Sequence, residues 1–154
     1  MSDVQIRLCR QADLPEVISL MNELKEVASG CEQFELENVR AVFTEMERYP
    51  EIYLNLVAEI SGKVVGFISI IFYKTVFHKG GTALINELII THSERGKGIG
   101  QKLIRRAKEE AIARGMDEIE VGTEKTNQAA QEFYRKNGFD KEYVLMGIEF
   151  DEED

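Results

Sequence analysis

The segment that most constrains this chain is a glycine-rich turn, Arg95-Gly-Lys-Gly-Ile-Gly100, set between a run of strand-forming residues and a basic amphipathic helix. Three glycines in five positions allow successive backbone N–H groups to point the same way and to approach a ligand closely. The start of the following helix adds the positive end of its dipole. This combination predicts a cradle for an anion such as a phosphate.

The side-chain charge around this turn has the sign that an anion requires. Between Glu94 and Lys108 six basic residues stand against one acidic residue, in a chain whose net charge is −9. A charge run of this kind is also typical of a solvated helix face. A single basic patch without interleaved aromatic residues, in an acidic chain, argues against a nucleic-acid partner.

Two nucleotide-binding motifs do not fit the turn. A Walker A motif places lysine directly after its last glycine, whereas Gly100 is followed by Gln101 and then Lys102. A dinucleotide fingerprint requires the spacing GxGxxG, whereas this turn has GxGxG. The anion is therefore expected to belong to another kind of ligand.

The length and composition of the chain favour one globular domain. We expect a single domain over residues 1–154, with a frayed acidic tail at 151–154. No apolar run approaches the roughly 20 residues that a bilayer span needs, so no membrane partner is expected. The start of the chain lacks the apolar stretch of a secretory leader, and the two cysteines, Cys9 and Cys31, show no zinc-binding pattern. These features predict a cytoplasmic protein without a metal.

The hydrophobic pattern predicts an α+β fold with a mixed central sheet flanked by helices. The expected order is β-α-α-β-β-β-α-β-α-β. The third helix is indicated by apolar residues at helical spacing from Ile99 to Ala111, with Gly115 as its C-terminal cap. The last two predicted elements are a helix over about Thr126–Lys136 and a strand over Glu142–Phe150.

Two motifs give the chain its resemblance to a known family. Arg95, Gly98 and Gly100 match the phosphate loop [Q/R]-x-x-G-x-[G/A], and Asn127, Ala130 and Tyr134 match an N-x-x-A-x-x-x-Y pattern that precedes Gly138-Phe139. In order and spacing these motifs resemble those of the GNAT superfamily of acetyl-CoA-dependent N-acetyltransferases. The resemblance is close from Ile85 to Phe139, and the order of elements extends it over the whole chain.

The resemblance implies that acetyl-CoA is the co-substrate and an amine is the acceptor. Binding of the pantetheine arm is implied for the main chain of Leu88, Ile89 and Ile90. The remaining implied acetyl-CoA ligands are Arg95, Gly96, Lys97, Gly98, Ile99, Gly100, Gln101 and Asn127. Tyr134 is implied as the general acid that protonates the departing thiolate.

The general base and the acceptor are less constrained. Glu87, at the start of the cofactor strand, is the candidate base, directly or through a water. Glu120 and Glu124 are alternatives near the next strand, but one subfamily's base position, five residues before Asn127, is Gly122 here. His78 and Tyr73 are candidates for the acceptor site. We interpret glutamates in the first helical region as a feature that favours a cationic amine; they are Glu23, Glu26, Glu32, Glu35 and Glu37.

Three further possibilities remain open at this stage. The main alternative to an N-acetyltransferase is a non-catalytic acyl-CoA-binding or sensing module with the same fold. Homodimers are common in the family, so a homodimer is possible. Acyl-CoAs other than acetyl-CoA are not distinguished by these residues.

Overall fold

The computed structural model describes residues 3–25 and 34–151. The chain divides into two compact units, Met1–Val121 and Gly122–Asp154. Cys31, Glu26 and Glu32 lie outside the described residues, as do positions 152–154 of the predicted tail.

The first unit is built on a five-stranded mixed sheet whose neighbours follow the order of the chain. Strands β1 to β4 pair antiparallel with one another, and β5 is parallel to β4. Their bounds are β1 Val4–Leu8, β2 Tyr53–Ile60, β3 Lys63–Tyr73, β4 Thr82–Ile90 and β5 Glu118–Val121. The predicted α+β class and the mixed sheet are confirmed.

Three helices of the first unit cover the sheet: α1 (Leu14–Lys25), α2 (Leu36–Glu47) and α3 (Ile99–Ala113). Short 3₁₀ turns precede α1 at Gln11–Asp13 and follow β4 at His92–Glu94. None of the helices within the described residues combines the length and apolar character that crossing a membrane requires.

The central strand β3 separates two layers of core. Phe67 belongs to a buried cluster with residues of α1 and α2, among them Leu14, Val17 and Phe43. On the other face, a Cβ on Gly66 would lie 3.2 Å from Leu103 of α3. Because β3 is covered on both faces, nearly all of its residues are buried, which explains its continuous apolar sequence.

Helix α3 follows its sequence pattern closely. All five of its predicted core positions are buried, namely Ile99, Leu103, Ile104, Ala107 and Ala111. The helix ends as predicted, because Gly115 takes a left-handed φ of 77°. Its N–H donates to Ile112 and the next N–H, of Met116, donates to Ala111, so these two helix carbonyls are satisfied.

The second unit contains α4 (Gln128–Lys136), which confirms the predicted helix. The predicted last strand, Glu142–Phe150, is wrong: within the described residues, 139–151 form neither helix nor strand. Val144, Leu145 and Phe150 are each more than four-fifths exposed. The alternating sequence has strand propensity, but a strand also needs a neighbour that satisfies its backbone groups, and β-propensity does not supply one.

Candidate active site

The glycine-rich turn lies in the connection between β4 and α3. Gly96 and Gly98 have left-handed φ values of 79° and 83°. A Cβ on either would meet nothing within 4 Å, so both glycines face open space. Gly98 is the N-cap of α3, and the first N–H groups of a helix have no partner inside it. The turn can therefore offer backbone donors and a helix dipole to an anion.

The charged side chains of the turn are differently engaged. Arg95 Nε donates to the carbonyl of Ile90 at 3.1 Å, so this side chain closes the turn on itself. Lys97 Nζ lies 3.1 Å from Glu94 Oε2 in an exposed ion pair. Because exposed pairs contribute little stability, Lys97 can exchange this partner for a ligand at small cost. Lys102 and Gln101 are exposed on the first turns of α3, whereas the side chain of Ile99 is buried in the core.

Strand β4 extends beyond its parallel neighbour. The β4–β5 ladder begins at Thr82–Glu118 and ends at Ile85–Val121. In the described structure the next five residues of β4, Asn86 to Ile90, have no partner on β5, and Glu87 to Ile90 pair with β3. Leu88, Ile89 and Ile90 therefore have one backbone edge that the β4–β5 ladder does not use. An extended ligand can pair with such an edge as an added strand.

A bulge in β4 determines where Glu87 points. The β3–β4 pairing changes from Ile70–Ile85 to Ser69–Glu87, so Asn86 is an extra residue on β4. Neighbours on β3 point to opposite faces, and so Ile85 and Glu87 do as well, although they are two positions apart in the sequence. Ile85 is buried, whereas Glu87 is exposed on the α1 face. Desolvation by the surrounding protein raises the pKa of the Glu87 carboxyl.

A second group of ionisable side chains lies around β5, away from Glu87 on β4. The pKa of Glu120 is raised, first by a hydrogen bond with Glu118 and then by burial. Tyr73 contacts both Glu120 and Thr82, and burial raises the pKa of its phenol. His78 Nδ1 lies 3.9 Å from Asp117 Oδ2. Tyr73 and Glu120 are separate candidates in the sequence, and nothing in their spacing indicates that they form one group.

Other residues considered in the sequence have structural partners. Cys9 is buried, and burial raises the pKa of its thiol to about 12, which makes it a poor nucleophile. The carboxylate of Glu23 accepts a hydrogen bond from Thr91. The backbone carbonyl of Glu124 accepts hydrogen bonds at the start of α4. Within the described residues, no three His, Cys, Asp or Glu side chains are placed to hold a metal ion.

The second unit holds the remaining two predicted site residues. The Asn127 side chain accepts a hydrogen bond from the backbone N–H of Ala130 at 3.0 Å and so caps α4. Tyr134 is half-buried, and its ring contacts Phe139 edge-on with centroids 5.8 Å apart. Burial raises the pKa of the Tyr134 phenol, so it remains protonated through neutral pH. A protonated phenol can serve as a proton donor.

The mixed sheet, with a strand that extends beyond its parallel neighbour into a glycine-rich turn, defines an α+β protein with a candidate anion-binding turn. The model of the acetyltransferase (GNAT) family matches residues 17–139, well over half of the chain. The chain therefore belongs to the GNAT acetyltransferase family, as its motifs predicted.

Individual relatives agree with this assignment. An uncharacterised N-acetyltransferase of Methanocaldococcus jannaschii is 36% identical over 92 residues, which are 59% of this chain and 41% of that protein. The chain spans about half the length of the curated relatives it matches. A transcriptional regulator from Bacillus halodurans has a similar structure, with a TM-score of 0.83 and 26% identity over 96% of this chain and 100% of that one.

A structure that contains a ligand is also similar. The aminoglycoside N-acetyltransferase AAC(6')-Iy, solved in complex with CoA, gives a TM-score of 0.79 at 18% identity. The alignment covers 97% of this chain and 96% of that one. At this identity the likeness establishes the common fold.

Proposed function

We propose that this protein transfers an acetyl group from acetyl-CoA to a primary amine. The observation that carries the proposal is the course of β4: its pairing with β5 stops at Ile85, and the strand continues for five residues to the glycine-rich turn. A strand edge and an anion cradle thus follow each other along one stretch of chain. Acetyl-CoA has the matching order of parts, an amide-containing arm followed by a diphosphate.

The turn is suited to the diphosphate. Gly96 and Gly98 leave open space beside backbone that leads into the N-terminus of α3. Lys97 and Lys102 supply exposed positive charge next to it. The CoA complex of the similar aminoglycoside N-acetyltransferase supports the same type of ligand for this fold.

The edge of Leu88–Ile90 is suited to the pantetheine arm. Its amides can pair with backbone groups of the strand as an added strand does. A backbone N–H of the same stretch can stabilise the negative charge that develops on the thioester oxygen during attack. The bulge at Asn86 places Glu87 beside this stretch on the α1 face.

The reaction then needs three proton transfers, two from the nitrogen and one to the sulfur. An alkyl ammonium has a pKa near 10.4, so a base must remove a proton before the nitrogen attacks the thioester carbon. Glu87 accepts that proton, directly or through a water. The new C–N bond forms as the C–S bond breaks, and Tyr134 gives its proton to the departing CoA thiolate. The nitrogen then loses its second proton to the Tyr134 phenolate, which leaves a neutral amide and restores the phenol. Glu120 is the alternative base, since its pKa is raised as well.

The acceptor is a cationic primary amine in this proposal. The net charge of −9 attracts cations over a distance of about a Debye length. Exposed Glu35 and Glu37 at the start of α2 contribute to that field. Glu23 is less available for an acceptor, because Thr91 occupies one of its oxygens.

The test combines binding and turnover. Acetyl-CoA at 100 times its dissociation constant should raise the free energy of unfolding by about 2.7 kcal/mol, which a thermal-shift measurement detects. A thiol assay with a panel of mono-, di- and polyamines should then show CoA release that depends on the amine. If millimolar acetyl-CoA leaves the melting temperature unchanged, the proposal fails; binding without amine-dependent release would indicate a sensing module.

A further inference from the structure

The segment that leads from β4 into the glycine-rich turn is attached to helix α1 through one side-chain hydrogen bond. Thr91, the first residue after β4, donates from Oγ1 to Oε1 of Glu23 at 2.9 Å. The backbone of Thr91 is held as well: its N–H donates to Val65 of β3 at 2.9 Å, and its carbonyl accepts from the N–H of Glu94 at 3.0 Å. Thr91 is therefore fixed by the sheet, by the following 3₁₀ turn and by α1.

The other side-chain hydrogen bonds of the turn to described residues do not reach a distant element. Arg95 bonds to Ile90 and Lys97 bonds to Glu94, both within a few residues along the chain. Gly96 and Gly98 have no neighbour within 4 Å of a Cβ position, so packing does not hold them. At its far end the turn is anchored by Ile99, the first residue of α3, whose side chain is buried. The segment that leads into its near end is anchored at Thr91.

Glu23 lowers the stability of the fold more than a purely structural hydrogen bond would require. Its Oε1 accepts from Thr91, but its Oε2 is buried and has no hydrogen-bond partner among the described residues. A buried carboxylate oxygen without a donor reduces stability. Glu23 thus reduces stability at one oxygen, while its other oxygen holds the segment that leads into the glycine-rich turn. This combination is typical of a positioning residue.

We propose that Glu23 and Thr91 form a positioning pair that holds the glycine-rich turn in its binding conformation, so that acetyl-CoA does not have to order it. The role rests on the proposed function of this turn. Preorganisation increases affinity because the cost of ordering is already met in the free protein. The pair also joins the glycine-rich turn to α1. This helix belongs to the first helical region, whose glutamates we interpret as favouring a cationic acceptor.

Helix α1 offers a matched control for Glu23. Glu16 lies two turns earlier on the same helix and is also half-buried, and its Oε2 accepts from the backbone N–H of Val64 at 2.9 Å. Glu16→Ala and Glu23→Ala therefore each remove one carboxylate that ties α1 to the rest of the first unit. They differ in whether the tie reaches the glycine-rich turn.

The experiment measures acetyl-CoA dissociation constants by titration calorimetry for the wild type, Glu16→Ala, Glu23→Ala, Thr91→Val and the Glu23→Ala/Thr91→Val double variant. We expect Glu23→Ala and Thr91→Val each to weaken binding about three- to tenfold, as loss of one charge-assisted hydrogen bond allows. The double variant should be no weaker than either single variant, because both remove the same bond. Glu16→Ala should bind like the wild type.

Two further measurements separate positioning from general destabilisation. Thr91→Ser keeps the hydroxyl and should restore wild-type affinity, even if the lost methyl lowers the melting temperature. In steady state, Glu23→Ala should raise KM for acetyl-CoA with kcat nearly unchanged. Three outcomes would each overturn the positioning pair. The rise in KM could be the same for Glu23→Ala and Glu16→Ala, or the losses of binding free energy of the two single variants could add up in the double variant. Thr91→Ser could also fail to restore binding. Absence of binding by the wild type overturns the proposed function and the pair with it, so the two failures are distinguishable.

Discussion

Gly62 and Gly98 have nearly the same left-handed φ in two different turns, 81° and 83°. At both positions a Cβ would meet nothing within 4 Å. Gly62 lies in the turn between β2 and β3, whereas Gly98 caps α3 at the proposed phosphate cradle. A substitution at the two sites therefore has the same conformational cost, and only the one at Gly98 alters the cradle.

Replacing Gly98 with alanine should weaken acetyl-CoA binding. Both Gly98→Ala and Gly62→Ala should lower the free energy of unfolding by about 1 kcal/mol, because alanine resists a left-handed φ. Gly98→Ala should in addition raise the dissociation constant about tenfold, a loss of roughly 1.4 kcal/mol, because its Cβ occupies space that the phosphates need. Thermal denaturation and calorimetric titration measure the two effects. Equal affinities for the two variants would contradict the proposed cradle.

Removing the hydroxyl of Tyr134 should slow turnover without weakening acetyl-CoA binding. Tyr134→Phe keeps the ring that packs edge-on against Phe139, so α4 and its surroundings should keep their structure. Loss of a general acid typically reduces the rate about 10²-fold or more. Steady-state kcat and the dissociation constant of acetyl-CoA test the two halves of this prediction.

Tyr49→Phe is the control for Tyr134→Phe. Tyr49 is 43% exposed and follows α2, so loss of its hydroxyl should leave both parameters unchanged. A Tyr134→Phe enzyme with wild-type kcat would remove the tyrosine from the mechanism.

The acidic limb of the pH–rate profile should identify the general base. A base acts in its deprotonated form, and desolvation raises the pKa of Glu87, so kcat/KM should fall with decreasing pH at values above the ordinary glutamate pKa of about 4.3. Glu87→Gln should abolish this limb and lower the rate about 10²-fold. Glu120→Gln should preserve the limb. The opposite pattern would assign the base to Glu120, whose pKa is also raised.

The features that sequence could predict depend on local patterns. The five buried positions of α3 recur at helical spacing, and Gly115 follows them as a cap should. The glycine-rich turn was recognisable because Gly96 and Gly98 are needed for their left-handed φ values. Helix α4 was predicted together with its motif residues Asn127 and Tyr134. Each of these signals lies within about 15 neighbouring residues.

The features that sequence could not predict depend on pairing between distant segments. Strict alternation along β4 would place Glu87 on the same face as buried Ile85, and only the extra residue Asn86 separates them. The bond between Glu23 and Thr91 joins residues 68 positions apart. The strand expected over Glu142–Phe150 has the composition of a strand but no ladder within the described structure.

The close approach of Gly80 to Gly115 is a further feature of this kind. A Cβ on Gly80 would lie 1.7 Å from the carbonyl oxygen of Gly115. The same corner is closed by Asp117, whose Oδ2 accepts from the N–H of Gly80 at 2.9 Å and whose own N–H donates to Gly81 at 2.9 Å. The obstructing atom belongs to the backbone at the C-terminal cap of α3, so it cannot move aside as a flexible side chain would.

Gly80→Ala should therefore destabilise the protein, whereas Gly122→Ala should not. Overpacking against fixed backbone costs about 2 kcal/mol or more, which lowers the melting temperature of a chain of this size by about 5 °C. At Gly122 a Cβ meets nothing within 4 Å and φ is not left-handed, so the change should stay within about 0.5 kcal/mol. Calorimetric melting of the two variants measures the difference. A melting temperature of Gly80→Ala within about 1 °C of the wild type would contradict this prediction. It would mean that the backbone at the corner between β4 and α3 moves to make room for the Cβ.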